Sequence, residues 1–106
     1  DVKGKRAIIF DDEIASGGSI LEVIKALESL GVEEIQACCV HAVLSGSASE
    51  NLAKSKLSKL VVTDTVAIPE SKKFSKLEII SVAELFAKAI MYTNRGESIS
   101  GLYDKF

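Results

Sequence analysis

Residues 8–19 read Ile8-Ile9-Phe10-Asp11-Asp12-Glu13-Ile14-Ala15-Ser16-Gly17-Gly18-Ser19, and this stretch decides the fold. The apolar run Ala7–Phe10 predicts a short parallel strand that is covered on both faces. Two acids follow it directly, and then a polar loop that contains two glycines. From Ser19 onward, apolar residues recur at helical spacing, and Gly31 is expected to end this helix. The stretch therefore predicts a strand, a polar loop and a helix in succession.

The rest of the chain continues this alternation. Three more strands are expected, at Ile35–His41, Leu60–Thr63 and Leu77–Ile80. Three helices are expected, each opened by a capping box in which a glutamate follows a serine by three residues: Ser19–Glu22, Ser47–Glu50 and Ser81–Glu84. The middle helix should span Ala48–Lys54. This alternation predicts an α/β fold with a parallel sheet and flanking helices, in which ligands bind beyond the carboxyl ends of the strands.

The last predicted helix carries one apolar stripe, made of Val82, Leu85, Phe86, Ala89 and Ile90. Gly96 is expected to end the helix, and a polar tail, Glu97–Phe106, follows it. The aromatic residues expected to pack the last helix and the tail against a further surface are Tyr92, Tyr103 and Phe106.

Length and composition limit the class of protein. The chain has 106 residues, so residues 1–106 form one domain or part of one. A formal net charge of −2 argues against non-specific binding to nucleic acid. No apolar run approaches the roughly 20 residues that a membrane-spanning helix needs. The chain begins at Asp1 rather than Met, so we expect it to be a fragment.

The two cysteines, Cys38 and Cys39, are neighbours in a predicted strand. Side chains of adjacent strand residues point to opposite faces, so these thiols are poorly placed to bond with each other. Two thiols and one histidine do not make a credible zinc site. We therefore expect reduced, buried cysteines in a cytoplasmic protein.

The loop after the first strand has the chemistry of a sugar-phosphate site. Gly17 and Gly18 let the backbone approach a ligand closely, and the helix that follows presents unpaired N–H groups and a positive dipole end. Ser16 and Ser19 add hydroxyl donors, so the loop suits a phosphate dianion. The carboxylates Asp11–Asp12 suit sugar hydroxyls and Mg²⁺ instead. Ribose 5-phosphate has both kinds of group; the alternative is a solvated turn followed by a tight bend.

These residues resemble the signature of the phosphoribosyltransferase fold, in which an apolar strand leads into two acids and a serine- or threonine-flanked Gly-Gly loop. Three later segments resemble, in order, segments of the ribose-phosphate pyrophosphokinases: Val40–Gly46, Val61–Thr65 and Arg95–Tyr103. The resemblance runs from about Val2 to Tyr103. It implies a partial phosphoribosyltransferase-type domain, the ribose 5-phosphate-binding half, from an enzyme that forms homo-oligomers. From the charge, the apolar runs and the cysteines we expect a cytoplasmic protein with no nucleic-acid or membrane partner.

The resemblance also implies roles for individual residues. Asp11 and Asp12 match acids that bind the ribose hydroxyls, directly or through Mg²⁺. The remaining residues of the implied ribose 5-phosphate site are Ala15, Ser16, Gly17, Gly18 and Ser19. Family members often have an acid at the position of Ala15. Backbone amides do most of the phosphate binding, so ribose 5-phosphate binding should survive, while full turnover is in question. Ser98 and Ser100 match serines near a regulatory phosphate or nucleotide site.

The reaction that the resemblance implies transfers the diphosphate of ATP to the 1-hydroxyl of ribose 5-phosphate, giving phosphoribosyl pyrophosphate and AMP. The ATP site and the loop with the catalytic Lys and Arg would lie mostly outside this chain, and no catalytic residue is expected within it. Stabilising the transferred charge requires magnesium and cations. We therefore expect the isolated chain to be inactive.

Several alternatives remain open. His41 and Asp64 end predicted strands and could act as a base, a ligand or a structural residue. A base-transferring phosphoribosyltransferase would share the Gly-Gly loop, and a non-catalytic regulatory paralogue would share nearly everything. A receiver-type signalling domain also opens with a strand that ends in acids, and Asp64 would be its phospho-acceptor. It does not need Gly17–Gly18, and no later strand end supplies its lysine.

Overall fold

The computed structural model describes residues 1–105. It contains four strands: β1 (Arg6–Ile14), β2 (Glu34–Ala42), β3 (Leu57–Thr63) and β4 (Leu77–Ile80). It contains three α-helices: α1 (Gly18–Ser29), α2 (Ala48–Lys54) and α3 (Ala83–Asn94). Short 3₁₀ helices lie at Glu70–Lys72 and Ser100–Lys105. Within these residues no helix is long and apolar enough to cross a membrane.

The four strands form one parallel sheet in the order β1-β2-β3-β4. One face of the sheet is covered, because Ala37, Cys39 and Leu60 pack against Ile24 of α1 and Leu52 of α2. All five are 4% exposed or less. The predicted α/β architecture, a parallel sheet with flanking helices, is therefore confirmed. It brings the carboxyl ends of all four strands to one edge of the sheet.

The other face of the sheet is uncovered within the described residues, and we call it the open face. On β1 it includes Ile8 and Phe10, which are 56% and 77% exposed. It continues across the other strands through Cys38, Val40, Val61 and Ile80. The expectation that β1 is covered on both faces is wrong for this chain. Parallel sheets normally bury both faces, so a large apolar surface is left without a partner here.

Helix α3 leaves its apolar stripe unburied. None of its residues is buried, and Phe86 and Ile90 are 53% and 69% exposed. The helix contacts mainly the C-terminal 3₁₀ helix, whose Leu102 is buried. The stripe is therefore largely without a packing partner among the described residues. Tyr92 is half-buried and Tyr103 is exposed, while Phe106 lies outside the described residues.

Several predicted boundaries hold. Helix α2 and strand β4 have the predicted limits. Helix α1 ends in a Schellman motif, in which the N–H of Gly31 donates to Glu28 and the N–H of Val32 donates to Leu27. Gly31 has φ +78°, which glycine adopts at little cost. Gly96, with φ +70°, ends α3 in the same way.

The predicted capping boxes are wrong. Helix α1 begins at Gly18, so Ser19 already lies inside it and Gly17 is the N-cap. Ser47 is the N-cap of α2, but its side chain caps no N–H group. Val82 occupies the N-cap of α3, and Ser81, which precedes it, accepts a hydrogen bond from the N–H of Ala83. In each case the backbone turn, rather than the serine, sets the first helical residue.

Candidate functional site

A cleft of about 280 Å³ lies where β1 turns into α1 and is lined by residues 11–20. Its size is close to the lower end of the roughly 300–1,000 Å³ typical of small-ligand sites. Its lining includes every residue of the predicted ribose 5-phosphate site, from Asp11 to Ser19. It includes no Lys or Arg, so carboxylates, hydroxyls and backbone N–H groups provide all of its polar character.

No side chain caps the N-terminus of α1, which faces this cleft. Gly17 adopts φ +82° and ψ 0°, a left-handed conformation that turns the chain sharply into the helix. The first intrahelical hydrogen bond runs from the N–H of Leu21 to the carbonyl of Gly17. Among the described residues nothing accepts a hydrogen bond from the N–H groups of Gly18, Ser19 or Ile20. Three donors and the positive end of the helix dipole are therefore directed at the cleft.

The two acids lie on β1 itself. Pairing with β2 continues to Glu13↔His41 and Ile14↔Ala42, so the strand runs past the predicted end at Phe10. Both Asp11 and Asp12 are exposed, and one Asp11 oxygen accepts a hydrogen bond of 2.8 Å from the N–H of Asp12. Across residues 1–105 neither carboxylate forms an ion pair. Both therefore remain available to a hydroxyl or a cation.

The donor set suits a partly hydrated Mg²⁺ rather than a fully enclosed metal. No group of three or more His, Cys, Asp or Glu side chains converges in the described part of the chain. Mg²⁺ typically binds through one or two carboxylates and completes its octahedral shell with water and substrate oxygens. Asp11 and Asp12 fit that mode of binding, and they do not fit a metal site that is closed by protein alone.

The segment that follows β2 supports the cleft by binding the backbone at the end of β1, a role that was not predicted from the sequence. The N–H groups of Val43 and Leu44 both donate to the carbonyl of Ile14, at 3.0 and 3.1 Å. The N–H of Ser45 donates to the carbonyl of Ala15 at 2.8 Å. In the sequence this segment stood out only through the resemblance of Val40–Gly46 to other proteins, and the apolar pair Val43–Leu44 is the one local signal that it packs inward.

His41 does not line the cleft. Its Nδ1 lies 2.8 Å from the Thr65 hydroxyl, and that hydroxyl donates to the Val40 carbonyl at 3.1 Å. Thr63 donates to the same carbonyl at 2.6 Å. This network joins the carboxyl ends of β2 and β3, which supports the structural interpretation of His41.

Asp64 is engaged at the start of α3. Its carboxylate accepts a hydrogen bond of 2.8 Å from the N–H of Val82. Hydrogen bonds from Ser81 and Val82 lower the pKa of Asp64 below its usual value. Strand β2 separates Asp64 on the β3 side from Asp11 on β1, so the two acids are about two strand spacings, roughly 10 Å, apart. The arrangement does not favour a shared acidic pocket of the receiver type.

The two serines of the implied regulatory site lie close together. Ser98 donates to the Ser100 hydroxyl at 3.0 Å and accepts from the Ser100 N–H at 3.2 Å. Both are exposed, and they form the turn that begins the C-terminal 3₁₀ helix. This turn lies outside the cleft lined by Asp11–Ile20.

Comparison with known proteins agrees with this fold and cleft. A family model described as the phosphoribosyl synthetase-associated domain matches residues 1–104. A ribose-phosphate pyrophosphokinase of Caldanaerobacter subterraneus is 47% identical over 103 residues, which are 97% of this chain and 33% of that protein. One from Fusobacterium nucleatum is 43% identical over 104 residues, 98% of this chain and 33% of that protein.

A solved structure of a related enzyme has a closely similar fold. The phosphoribosylpyrophosphate synthetase of Mycobacterium smegmatis superposes with a TM-score of 0.89 at 35% identity, over 91% of this chain and 32% of that one. Fold and cleft together define an α/β domain of the phosphoribosyltransferase type. The chain belongs to the phosphoribosyl synthetase-associated domain family. It spans about a third of the length of the curated relatives it matches.

Proposed function

We propose that this chain supplies the ribose 5-phosphate site of a ribose-phosphate pyrophosphokinase. The observation that carries the proposal is the N-terminus of α1, which no side chain caps and which shares one cleft with Asp11 and Asp12. Relatives with that activity, at 41–47% identity over nearly the whole chain, support it further. Those relatives are not base-transferring enzymes, so we do not extend the proposal to that class.

The phosphate end of the ligand would bind at Gly18–Ile20. Three N–H groups there lack partners within the described residues, and a phosphate dianion accepts several hydrogen bonds at once. Ser16 and Ser19 are both exposed and add hydroxyl donors. Gly18 is exposed and has no side chain to keep the ligand away from the backbone. Together these groups replace the water that solvates the phosphate.

The ribose end would bind at the carboxylates of Asp11 and Asp12. Each carboxylate accepts hydrogen bonds from hydroxyl groups, and such charge-assisted bonds contribute about 1.5–3 kcal/mol. Mg²⁺, when bound, would neutralise charge between these acids and the substrate oxygens. The acids therefore orient the sugar, while the helix N-terminus fixes the opposite end of the molecule. Holding both ends positions the 1-hydroxyl for transfer.

The residues of this chain would bind and orient ribose 5-phosphate, and other parts of the enzyme would catalyse the transfer of the diphosphate. The 1-hydroxyl oxygen bonds to the β-phosphorus of ATP, the link to the α-phosphate breaks, and AMP leaves. Developing charge on the transferred group needs cations. The cleft lining contains none, so the ATP site and the catalytic cations would lie mostly beyond these residues.

The wider assignment follows from the same proposal. We propose a cytoplasmic homo-oligomer that uses Mg²⁺, binds no nucleic acid or membrane, and responds to a phosphate or nucleotide at Ser98 and Ser100. The two free cysteines are consistent with a reducing compartment. The exposed stripe of α3 and the open face are consistent with further protein contacts.

Isothermal titration calorimetry tests the binding step on the protein as the cell makes it. We expect saturable binding of ribose 5-phosphate that is strengthened by Mg²⁺, with much weaker binding of ribose or inorganic phosphate alone. Asp12→Asn should weaken binding by about tenfold, because it removes a charged acceptor. The matched control Asp104→Asn removes an exposed carboxylate far along the chain and should change nothing. No binding of ribose 5-phosphate with or without Mg²⁺ would exclude the proposal.

A second assay addresses the transfer. The intact protein should release AMP from ATP only when ribose 5-phosphate is present, whereas residues 1–106 alone should release none. Ribose 5-phosphate binding without AMP release from the intact protein would support a non-catalytic regulatory paralogue instead. Robust turnover by residues 1–106 would contradict the proposal that the ATP site and the catalytic cations lie mostly outside this chain.

A further inference from the structure

The segment after β2 has an unusual backbone beside the cleft. Leu44 is the one non-glycine residue among those described that has a positive φ, at +51°. In an L-residue this left-handed conformation brings Cβ close to the following carbonyl oxygen and is strained. Leu44 is also 0% exposed, so its side chain is fixed within the core. Strain of this kind persists only where the surroundings impose it.

The strained turn delivers three consecutive N–H groups to the end of β1. Val43 and Leu44 donate to the carbonyl of Ile14, and Ser45 donates to the carbonyl of Ala15. Ile14 and Ala15 are the last two residues before Ser16 and the glycine pair. An extended conformation at Leu44 would carry Ser45 along the direction of β2 and away from Ala15. The positive φ is what lets all three bonds form together.

The same segment then leads into α2, which packs against the turn at Gly17. After Ser45–Ser47 the chain enters α2, whose first residue, Ala48, is 0% exposed. A β-carbon placed on Gly17 would lie 3.6 Å from the Cβ of Ala48. Gly17 therefore packs against Ala48, and a larger side chain at position 48 would push the glycine loop away from α2. The loop is held at Ile14 and Ala15 by hydrogen bonds and at Gly17 by contact.

From these contacts we infer that Leu44 is a positioning residue for the phosphate-binding loop, with Ala48 as its support. The inference rests on the proposed ribose 5-phosphate site. Leu44 does not touch the cleft, since the lining residues are 11–20. It acts through the backbone. Its left-handed turn fixes the position of Ile14 and Ala15, and these residues lead into the loop that presents the N–H groups of α1. A displaced segment would misdirect these N–H groups, whose hydrogen bonds to a charged phosphate are of the strong, charge-assisted kind.

The test compares volume-conserving substitutions at two fully buried leucines in the protein as the cell makes it. Leu44→Ile keeps the side-chain volume but places a β-branched residue where φ is positive, a conformation that such residues strongly disfavour. Leu60→Ile makes the same change in β3, where Leu60 is also 0% exposed and a branched residue suits a strand. Leu44→Met keeps the volume without branching at Cβ and serves as the conservative rescue.

Calorimetry with ribose 5-phosphate and the melting temperature are measured for each variant. We expect Leu44→Ile to weaken affinity by about tenfold or more at a temperature where it is fully folded. Leu44→Met and Leu60→Ile should bind within about twofold of the unchanged protein. A purely structural role of Leu44 would lower the melting temperature and leave affinity unaltered, and that result would overturn the inference.

A second pair of variants keeps the test decisive if Leu44→Ile does not fold. Ala48→Val adds two methyl groups under Gly17, whereas Ala53→Val makes the same change five residues along α2. We expect Ala48→Val alone to weaken ribose 5-phosphate binding. Equal affinity of both variants would count against the support role and so against the inference. If the unchanged protein itself failed to bind ribose 5-phosphate, the proposed function would be at fault rather than the positioning role.

Discussion

Gly17 lies directly above Ala48, so that a β-carbon added to Gly17 would stand 3.6 Å from the Cβ of Ala48. This is an ordinary van der Waals distance, so space alone does not require glycine at this position. The backbone does, since Gly17 has φ +82° and is the N-cap of α1. The need for glycine here is therefore conformational. The contact ties the loop at the end of β1 to the helix that follows β2.

Gly17→Ala is expected to strain the loop and weaken ribose 5-phosphate binding. An L-residue in the left-handed region costs roughly 1–2 kcal/mol, and relief of that strain would rotate the N–H groups of Gly18 and Ser19 out of the cleft. The free energy of unfolding, from urea titration, should fall by about that amount. Calorimetry with ribose 5-phosphate should show a clear loss of affinity.

Gly4→Ala is the matched control for this prediction. Gly4 also has a positive φ, +72°, and a β-carbon there would meet nothing within 4 Å. It lies before β1 and away from the cleft. The control should lose a similar amount of stability while keeping full affinity. An equal loss of affinity in both variants would mean that the loop conformation has no particular role in binding.

The stability of the chain should depend on pH through Asp64. Hydrogen bonds from Ser81 and Val82 lower its folded-state pKa below the unfolded value of about 3.9. A carboxyl with a lowered folded pKa adds stability above the unfolded pKa, and that stability is lost as pH falls through the folded pKa. Asp64→Asn should therefore be less stable than the unchanged protein at pH 7, and the gap should close below about pH 4.

Thermal melts between pH 7 and pH 2.5 would measure this effect. Asp104→Asn, which removes an exposed carboxylate from the C-terminal 3₁₀ helix, should follow the unchanged protein throughout. A gap for Asp64→Asn that stays constant as the pH falls would show that its carboxylate charge is not what stabilises the start of α3.

The two cysteines should react at different rates. Cys39 is 4% exposed on the covered face, and burial raises the pKa of its thiol, which lowers the thiolate fraction. Cys38 is half-buried on the open face. Iodoacetamide should therefore modify Cys38 first, as judged by mass spectrometry of peptides from Cys38→Ala and Cys39→Ala variants. Faster labelling of Cys39 would contradict the assignment of the two faces.

The open face should make residues 1–106 self-associate when they are produced alone. Apolar patches of this kind are rarely exposed on monomers. Sedimentation velocity should detect association that Phe10→Gln reduces, because Phe10 is 77% exposed in the patch. Leu30→Gln, at an exposed apolar residue at the end of α1, should have no such effect. A strictly monomeric fragment would argue against this surface as a contact face.

Sequence patterns predicted the elements well where local chemistry decides them. Gly31 and Gly96 adopt the left-handed conformation that ends a helix, and β4 is a short apolar run between polar residues. Pairing overrode local preference at the end of β1, where three acidic residues in a row joined the strand because β2 offers partners as far as Ala42. The acid pair and the glycines of the cleft were predicted together because they are neighbours in sequence.

The remaining features depend on contacts between distant residues. The left-handed turn at Leu44 cannot be predicted from composition, since leucine rarely adopts it. The support of Gly17 by Ala48 joins residues that are far apart in the chain. The apolar stripe of α3 was predicted from its spacing, and Phe86 and Ile90 within it remain exposed because no described residue covers them. A periodic pattern of apolar residues shows which face of a helix is apolar, and it does not show which other part of the protein covers that face.

The most direct test of the central claim is the backbone amide NMR spectrum of the protein during titration with ribose 5-phosphate. If the phosphate binds at the N-terminus of α1, the amide protons of Gly18, Ser19 and Ile20 should shift downfield and saturate together, as hydrogen bonding to phosphate deshields them. Ribose without phosphate should not produce these shifts. Saturable binding that leaves all three amides unmoved would contradict the account, because the ligand would then occupy a different site.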